Sequence, residues 1–280
     1  MGRLVWAMAG VMLALLVAAP RAQAEDGYDL WLRYVPEGGA VERGYRAAAA
    51  SLHPVGDSAT IRAATAELER GLSNLTARAV TVRDGLGDGA VVYGSASQPE
   101  IAALIGQTTV APEGYVLRSV RSNGRRVTVI AGGSDVGVLH GAFDLLRRMQ
   151  TRQPIDALDV AEAPAVSLRL LNHWDNLDRS VERGYAGQSI WDWHTLPGFT
   201  PQRYVDYARA NASIGINGTV LNNVNANALS LTEPYLLKAA ALADIFRPYG
   251  IKVYLSARFS APIEIGGLTT ADPLDPAVQA

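Results

Sequence analysis

The order of elements between residues 166 and 256 constrains the fold of this chain most. Apolar runs at 166–172, 218–221 and 251–256 predict three strands, and helical periodicity predicts helices over 201–213 and 233–249. Nearly continuous apolar strands are typical of parallel strands that are buried on both faces. The segment therefore predicts a β-α-β-α-β unit built on a parallel sheet.

The loops of this unit are asymmetric. The joins from helix to strand are short, whereas the joins from strand to helix are long and polar. In a (β/α)8 barrel the strand-to-helix loops carry function, and an open doubly wound sheet also binds ligands at the carboxyl ends of its strands. Three strands do not close a barrel, which needs about eight. We therefore expect residues 164–280 to be the first part of a barrel and the chain to be an amino-terminal fragment.

Polar and aromatic side chains follow each of the three predicted strands, so we expect them to share one rim. They are the candidate substrate-binding residues: Trp174, Asp175 and Asn176 after the first strand, Asn222, Asn223 and Val224 after the second, and Arg258 after the third.

Each candidate also has a structural interpretation. The indole of Trp174 suits a sugar platform but equally a packed aromatic. Asp175 and Asn176 could bind hydroxyl groups or simply form turns. The amides at the end of the second strand either bind ligand or hold a neighbouring loop. Arg258 could contact a carboxylate or form a structural salt bridge.

The loop after the first strand has further charges and two tryptophans. Asp178, Arg179, Glu182 and Arg183 are predicted to form a loop-ordering set of ion pairs. The segment 191–194 either lines an outer wall of the site or, as we expect, serves to pack the long loop.

Residues 25–155 predict a smaller α/β sandwich, with helices on one face of a sheet. Strands are expected at 29–35, 79–82 and 90–93, and a hairpin at 114–133 turns at Asn123-Gly124. Asp57 or Ser58 is predicted to cap one helix, and Ser134 is predicted to cap a later one. Residues 152–164 are predicted to form a linker. No phosphate-binding glycine loop follows any of the strands, so a supporting role is favoured.

The first 24 residues have the pattern of a signal peptide, with Arg3 before an apolar run and Ala22-Gln23-Ala24 as the cleavage site. A membrane anchor is the alternative, but Pro20 and Arg21 end the run early. We expect a secreted or periplasmic protein that starts at Glu25 and has no membrane span after cleavage.

Composition narrows the function classes. A net charge of −2 gives no basic surface for nucleic acid. With no cysteine and four histidines, the chain offers few metal ligands, and we predict no metal site. Glycoside hydrolysis needs two carboxyl groups, but Asp175 is the only acid directly at a predicted strand end in residues 164–280. No catalytic residue is assigned.

Three segments carry a specific resemblance. LLNHWDNLD with SVERGYAG, then NGTVLNNVNA, then IKVYLSARFSAP resemble glycoside hydrolase family 67, the xylan α-1,2-glucuronidases. The resemblance covers residues 28–280. It implies an N-terminal α/β domain, a (β/α)8 barrel and a helical region. It also implies inverting removal of glucuronic acid, or its 4-O-methyl ether, from xylo-oligosaccharides without a cofactor.

The resemblance assigns two pocket residues. Trp174 matches a tryptophan of the sugar pocket, and Val224 matches the valine that lines it beside the 4-O-methyl group. The resemblance also implies that the family's catalytic acid and base, and the Lys and Arg that hold the uronate, fall beyond Ala280. Many members have a small residue where this chain has Arg179. A homodimer of the full-length protein is left open. The alternatives are another exo-glycosidase, such as a β-N-acetylhexosaminidase, and a non-catalytic carbohydrate-binding protein.

Overall fold

The structure, a computed structural model, describes residues 25–183 and 187–280. Residues 32–280 form one compact unit, which contains a five-stranded and a three-stranded sheet. We call residues 32–162 the five-stranded region and residues 164–280 the three-stranded region. The predicted signal peptide, residues 1–24, lies outside the described residues.

The first sheet has the order β1-β2-β4-β3-β5. Strands β1, β2 and β4 run parallel to one another, whereas β3 is antiparallel to both of its neighbours, β4 and β5. The sheet is therefore mixed. Its strands are β1 Ser51–Pro54, β2 Ala90–Ser95, β3 Tyr115–Ser122, β4 Arg125–Gly132 and β5 Asp159–Glu162.

The hairpin between β3 and β4 confirms the turn prediction. Ser122 pairs with Arg125, which leaves a two-residue loop. Asn123 and Gly124 both have positive φ values, 50° and 77°. This left-handed backbone is what an Asn-Gly pair adopts at low cost.

Helices cover both faces of this sheet, so the prediction of one covered face is wrong. Residues of a strand alternate between faces, and Val92 of β2 packs with Ile101 and Ile105 while Val91 and Tyr93 join the other core cluster. As predicted, the side chains of Ser58 and Ser134 accept hydrogen bonds from Ile61 N and Gly137 N. The helices are α1 Gly39–Ala48, α2 Ala59–Leu75, α3 Pro99–Ile105 and α4 Asp135–Gln150.

Three local predictions differ from the structure. Residues 29–35 form no strand, because Leu30 and Tyr34 take positive φ values of 51° and 44° that interrupt an extended chain. The predicted strand at 79–82 is reduced to a single bridge between Val82 and Leu52. The predicted linker contains β5, which pairs with β3 and forms an edge of the sheet.

The second sheet is parallel, as predicted, with β7 between β6 and β8. Helices α5 and α6 join consecutive strands, and Gly250 ends the second crossover with a left-handed φ of 73°. The elements are β6 Leu170–Asn172, α5 Gln202–Ser213, β7 Gly218–Val220, α6 Glu233–Phe246 and β8 Lys252–Tyr254. Two short helices follow, α7 Ala261–Glu264 and α8 Pro276–Gln279.

The loop between β6 and α5 contributes the largest core side chains of the three-stranded region. Trp191 and Trp193 are 0% and 2% exposed. Trp191 makes aromatic contacts with Tyr204, Tyr207 and Phe246. The two tryptophans therefore pack the long loop against the helices, as predicted, whereas His194 is exposed.

A buried ion pair joins the two regions. Arg209 of α5 donates to both carboxylate oxygens of Glu67 of α2, at 2.8 and 2.9 Å. The hydroxyl of Tyr34 donates to the same carboxylate at 2.8 Å, and Asp206 accepts from Arg209 at 3.0 Å. The pairing orients the three-stranded region on the five-stranded region. Across the described part of the chain, no helix is both long and apolar enough to cross a membrane.

Candidate functional site

The carboxyl ends of β6, β7 and β8 meet at one edge. The backbone ladder continues past the strands, since His173 N donates to Val220 O and Leu221 N donates to Tyr254 O, both at 3.0 Å. We call the six residues that follow β6 and β7 at this edge the strand-end cluster: Trp174, Asp175, Asn176, Asn222, Asn223 and Val224.

Asn223 links the first two strand-end loops. Its side-chain Nδ2 donates to Asn176 Oδ1 at 2.6 Å and lies 3.5 Å from Trp174 O. Its backbone N donates to Asp175 O at 3.0 Å, and its Oδ1 accepts from Asn225 N. The side chain is 3% exposed. Asn223 therefore holds the neighbouring loop, the second of its two sequence interpretations.

Asn222 makes the equivalent link to the third loop. Its Nδ2 donates to Ser256 O at 3.0 Å, and its Oδ1 accepts from Ser256 N at 2.9 Å. The residue is 1% exposed. The two adjacent asparagines thus tie the β7 end to both of its neighbours.

Asp175 is buried at 4% exposure rather than presented to solvent. Its Oδ2 accepts a hydrogen bond from Ser189 Oγ at 2.5 Å and lies 3.8 Å from His173 Nδ1. Ser189 Oγ in turn accepts from Trp191 N. Asp175 therefore anchors the long loop to the end of β6.

His173 lies behind the cluster, against α5. Its Nε2 is 2.8 Å from Tyr207 Oη, and that hydroxyl is 2.9 Å from Thr219 Oγ1. Burial lowers the pKa of His173, and the Asp175 carboxylate offsets this only in part. The imidazole is therefore a neutral structural group near pH 7, under the residues that face solvent.

Trp174 and Val224 are the exposed members of the cluster. Their exposed fractions are 43% and 59%. The Arg183 guanidinium lies over the indole, 5.7 Å from its centroid. An exposed indole between loops fixed by hydrogen bonds is suited to stack on the C–H face of a sugar.

Arg258 does not stand free at the rim. Its Nε is 3.3 Å from Glu264 Oε1, and the side chain is 35% exposed. This is the structural salt bridge that the sequence left open as one interpretation.

The predicted ion-pair set does not form among its own members, so that prediction is wrong. Arg179 pairs with Asp192 at 3.3 Å, Asp178 accepts from Ser180, and Glu182 accepts from Asn225 at 3.3 Å. Arg179 has a φ of 71°. A left-handed backbone favours glycine or asparagine, which gives a physical reason for a small residue at this position.

Sequence reasoning missed Ser189, Tyr207 and Ser256 as partners of the cluster, because nothing in their local pattern marks them. Among the described residues, no group of three or more His, Asp or Glu is placed to hold a metal ion. The Asp175 carboxylate accepts a hydrogen bond from Ser189 and is buried. The described strand ends therefore offer apolar and amide groups and no pair of free carboxylates.

Two sequence models of one family cover most of the chain. The glycosyl hydrolase family 67 N-terminus matches residues 30–145, and the glycosyl hydrolase family 67 middle domain matches residues 148–280. The chain belongs to glycosyl hydrolase family 67.

Curated relatives of the family are similar over nearly the whole chain. The probable alpha-glucuronidase A of Aspergillus oryzae is 37% identical over 262 residues, which are 91% of this chain and 30% of that protein. The alpha-glucuronidase A of Emericella nidulans is 35% identical over 280 residues, which are 95% of this chain and 32% of that protein. The chain thus spans about a third of the length of these relatives.

A solved structure shares the fold. It is a family GH115 4-O-methyl-alpha-glucuronidase with specificity for decorated arabinogalactans, aligned with a TM-score of 0.53 at 14% identity. The alignment covers 75% of this chain and 29% of that one. At this identity the likeness concerns the fold alone.

Proposed function

We propose that the chain is the amino-terminal part of an α-glucuronidase that removes glucuronic acid, or its 4-O-methyl ether, from xylo-oligosaccharides by inverting hydrolysis. The observation that carries this proposal is 37% identity across 91% of the chain to a relative named as a probable alpha-glucuronidase. Residues 164–280 would then begin a (β/α)8 barrel. The parallel order β6-β7-β8, with a helix after each of the first two strands, supports that assignment.

In this proposal the strand-end cluster forms one wall of the sugar pocket. Trp174 stacks on the pyranose ring, and Val224 lines the apolar space beside its 4-O-methyl group. Asn222, Asn223 and Asp175 keep the loops in place through the hydrogen bonds described above. Such a preorganised wall lowers the entropic cost of ordering the loops when the sugar binds.

The catalytic carboxyl groups are proposed to come from outside this chain. Inversion needs an acid and a base about 6.5–9.5 Å apart with a water between them. The strand ends of residues 164–280 contribute binding groups rather than that pair. We therefore propose that a polypeptide ending at Ala280 has no turnover.

The direct test uses xylotriose that carries a 4-O-methylglucuronosyl group. The full-length protein should release the uronic acid, and the polypeptide ending at Ala280 should release none. In the full-length protein, Trp174→Ala should raise KM about tenfold through loss of stacking. Phe199→Ala is the matched control, because Phe199 is another exposed aromatic (61%) in the same loop.

Two results would contradict this function. Release of N-acetylhexosamine in place of uronic acid would indicate a different exo-glycosidase. Calorimetric binding of the oligosaccharide by the full-length protein without any hydrolysis would indicate a carbohydrate-binding protein.

We also propose export through the signal peptide at residues 1–24. Its support is the sequence pattern of a basic residue, an apolar run and Ala22-Gln23-Ala24. Amino-terminal sequencing of the protein from the periplasm or medium should give Glu25 as the first residue. A protein that keeps Met1 and stays with the cell membrane would contradict this.

A further inference from the structure

A cavity of about 300 Å³ lies where the five-stranded region meets the three-stranded region, and residues of both regions line it. Arg169, one of the lining residues, directly precedes β6, and Gly215, another, comes three residues before β7. The cavity is therefore beside the amino ends of these strands, at the opposite end from the strand-end cluster. We call it the junction cavity. Small-molecule sites are frequent at such junctions, and this volume is at the lower end of their range.

The five-stranded region contributes a buried histidine with a free acceptor. His140 of α4 lines the junction cavity and is 8% exposed. Its Nδ1 lies 3.2 Å from Glu113 O. A carbonyl oxygen only accepts hydrogen bonds, so Nδ1 carries the proton of the neutral ring. Nε2 is then a bare acceptor, and it has no hydrogen-bond partner among residues 25–183 and 187–280.

The surroundings of His140 keep the ring uncharged. Burial lowers the pKa of His140 below its ordinary value, and hydrogen bonding and charge from Glu113 offset this only in part. The imidazole is therefore neutral near pH 7. A buried acceptor without a donor is costly, so Nε2 is a position where a ligand hydroxyl group would be bound favourably.

The charged groups of the junction cavity mostly pair with one another. Arg169 binds the carboxylate of Glu113, and Arg147 binds that of Asp144. Glu162 is a third carboxylate in the lining and is exposed. With three carboxylates against two guanidinium groups, the lining has an excess of negative charge. An anionic ligand is therefore disfavoured there.

We propose that the junction cavity binds a neutral pyranose, with His140 Nε2 accepting a hydrogen bond from one of the sugar hydroxyl groups. Each sugar hydroxyl both donates and accepts, and the lining offers both kinds of partner, acceptors on His140 and Glu162 and guanidinium donors on Arg147. Apolar side chains for the C–H groups of the ring come from both regions: Ala163, Pro164, Ala212 and Ile214. This site is separate from the strand-end cluster and goes beyond the proposed function.

A sugar in this position contacts both regions at once. The lining from α4 and β5 belongs to the five-stranded region, whereas Arg169 and residues 212–215 belong to the three-stranded region. A ligand that binds only the folded protein raises its apparent stability. Bound sugar should therefore raise the Tm of the full-length protein and stabilise the junction itself.

The test is calorimetry on the full-length protein, with methyl β-D-xylopyranoside as the probe. Trp174→Ala serves as the background, so that the strand-end cluster contributes little to the measured heat. In that background His140→Phe should weaken xyloside binding about tenfold, because the variant keeps a ring but loses the acceptor. Ala163→Trp should weaken it by at least as much, since Ala163 is exposed in the lining and an indole would fill the space.

Two matched controls should leave the affinity unchanged. His53→Phe removes a histidine that lies on β1 and pairs with Glu100 at 2.9 Å. Ala161→Trp places an indole at an exposed position of β5 outside the cavity lining. If His140→Phe does not fold, Ala163→Trp still decides the matter, because it keeps the buried histidine.

Several results would overturn the inference. These are no xyloside binding in the Trp174→Ala background, unchanged affinity in both His140→Phe and Ala163→Trp, or an equal loss in the two controls. D-Glucuronate that binds as tightly, with the same sensitivity to His140→Phe, would exclude a site for neutral sugars. Release of uronic acid from the xylotriose substrate is measured separately, so the proposed function stands or fails independently of this site.

Discussion

The five-stranded region and the three-stranded region use buried polar side chains differently. In the five-stranded region the strands are four to eight residues long, so backbone pairing fixes most of the structure. Apolar side chains pack on both faces of that sheet. In the three-stranded region each strand has three residues. There, buried asparagines, serines and Asp175 connect the loops at the strand ends.

This difference indicates how strongly a single side-chain substitution should affect each region. A strand ladder repeats the same bond many times, so no single side chain decides its geometry. A loop held by one amide depends on that amide, because a buried donor or acceptor left unpaired costs about 1–3 kcal/mol. Stability and binding should therefore be coupled in the three-stranded region more than in the five-stranded region.

The largest expected effect comes from the ion pair that joins the regions. Arg209→Met leaves Glu67 buried, with the Tyr34 hydroxyl as a hydrogen-bond donor and Arg70 3.7 Å from the carboxylate, but without its bidentate partner. Breaking a buried pair in this way costs about 3–5 kcal/mol. Thermal unfolding of the full-length protein should show a clear loss of Tm.

The control for that measurement is Arg247→Met. Arg247 pairs with Asp244 at 3.0 Å, but both side chains are about three-quarters exposed (75% and 74%). An exposed pair contributes little, so Tm should not change measurably. Equal effects of the two substitutions would mean that the buried pair does not hold the regions together.

A smaller effect is expected from Asn222→Ala, which removes the link between β7 and the loop after β8. Ser256 N and O would lose their partner, at a cost of about 1–3 kcal/mol. Affinity for the sugar should fall together with Tm, because the loop positions would relax. Ser95→Ala in the five-stranded region is the comparison, since the hydrogen bonds of its Oγ are with one exposed residue, Ser97.

The Asn222→Ala and Ser95→Ala variants together test whether stability and sugar binding are coupled in one region and not in the other. If Asn222→Ala lowers Tm without weakening sugar binding, stability and site geometry are independent in the three-stranded region. If Ser95→Ala weakens binding as much, the contrast between the regions is lost.

The smallest expected effect concerns pH. Burial lowers the pKa of both His173 and His140, so the unfolded chain takes up a proton at higher pH than the folded chain does. Stability should therefore fall as pH drops below about 6.5. His173→Gln and His140→Gln should each reduce this slope, which Tm measured between about pH 5 and 7.5 would reveal.

Glu113 affects stability in a lower pH range than the two histidines do. The pKa of Glu113 is lowered: burial raises it, but hydrogen bonds from Arg169 and Asn217 more than offset burial. Its contribution to stability is present above the unfolded carboxyl pKa and is lost only as pH falls through the folded one.

An unchanged slope near pH 6 in both histidine variants would contradict the assignment of neutral buried imidazoles.

The predictable features of this fold are local ones. The Asn123-Gly124 turn, the Ser58 and Ser134 caps and the order of β6, α5, β7, α6 and β8 follow from neighbouring residues and periodicity. The strand predicted at 29–35 failed although alternate residues, Leu32 and Tyr34, are buried. Alternation of apolar residues predicts which side chains are buried. A segment forms a strand only where another strand is available to pair with its backbone.

Strand order and local pattern alone predict that polar and aromatic residues gather at one end of a parallel sheet, because parallel strands have their carboxyl ends at the same edge. Which of these residues face solvent depends on contacts between distant parts of the chain. Asn223 is buried against Asn176, 47 positions away, and Asn222 against Ser256, 34 positions away. Trp174 and Val224 remain exposed. Hydrogen bonds over such separations depend on how the helices pack, and no local pattern encodes that.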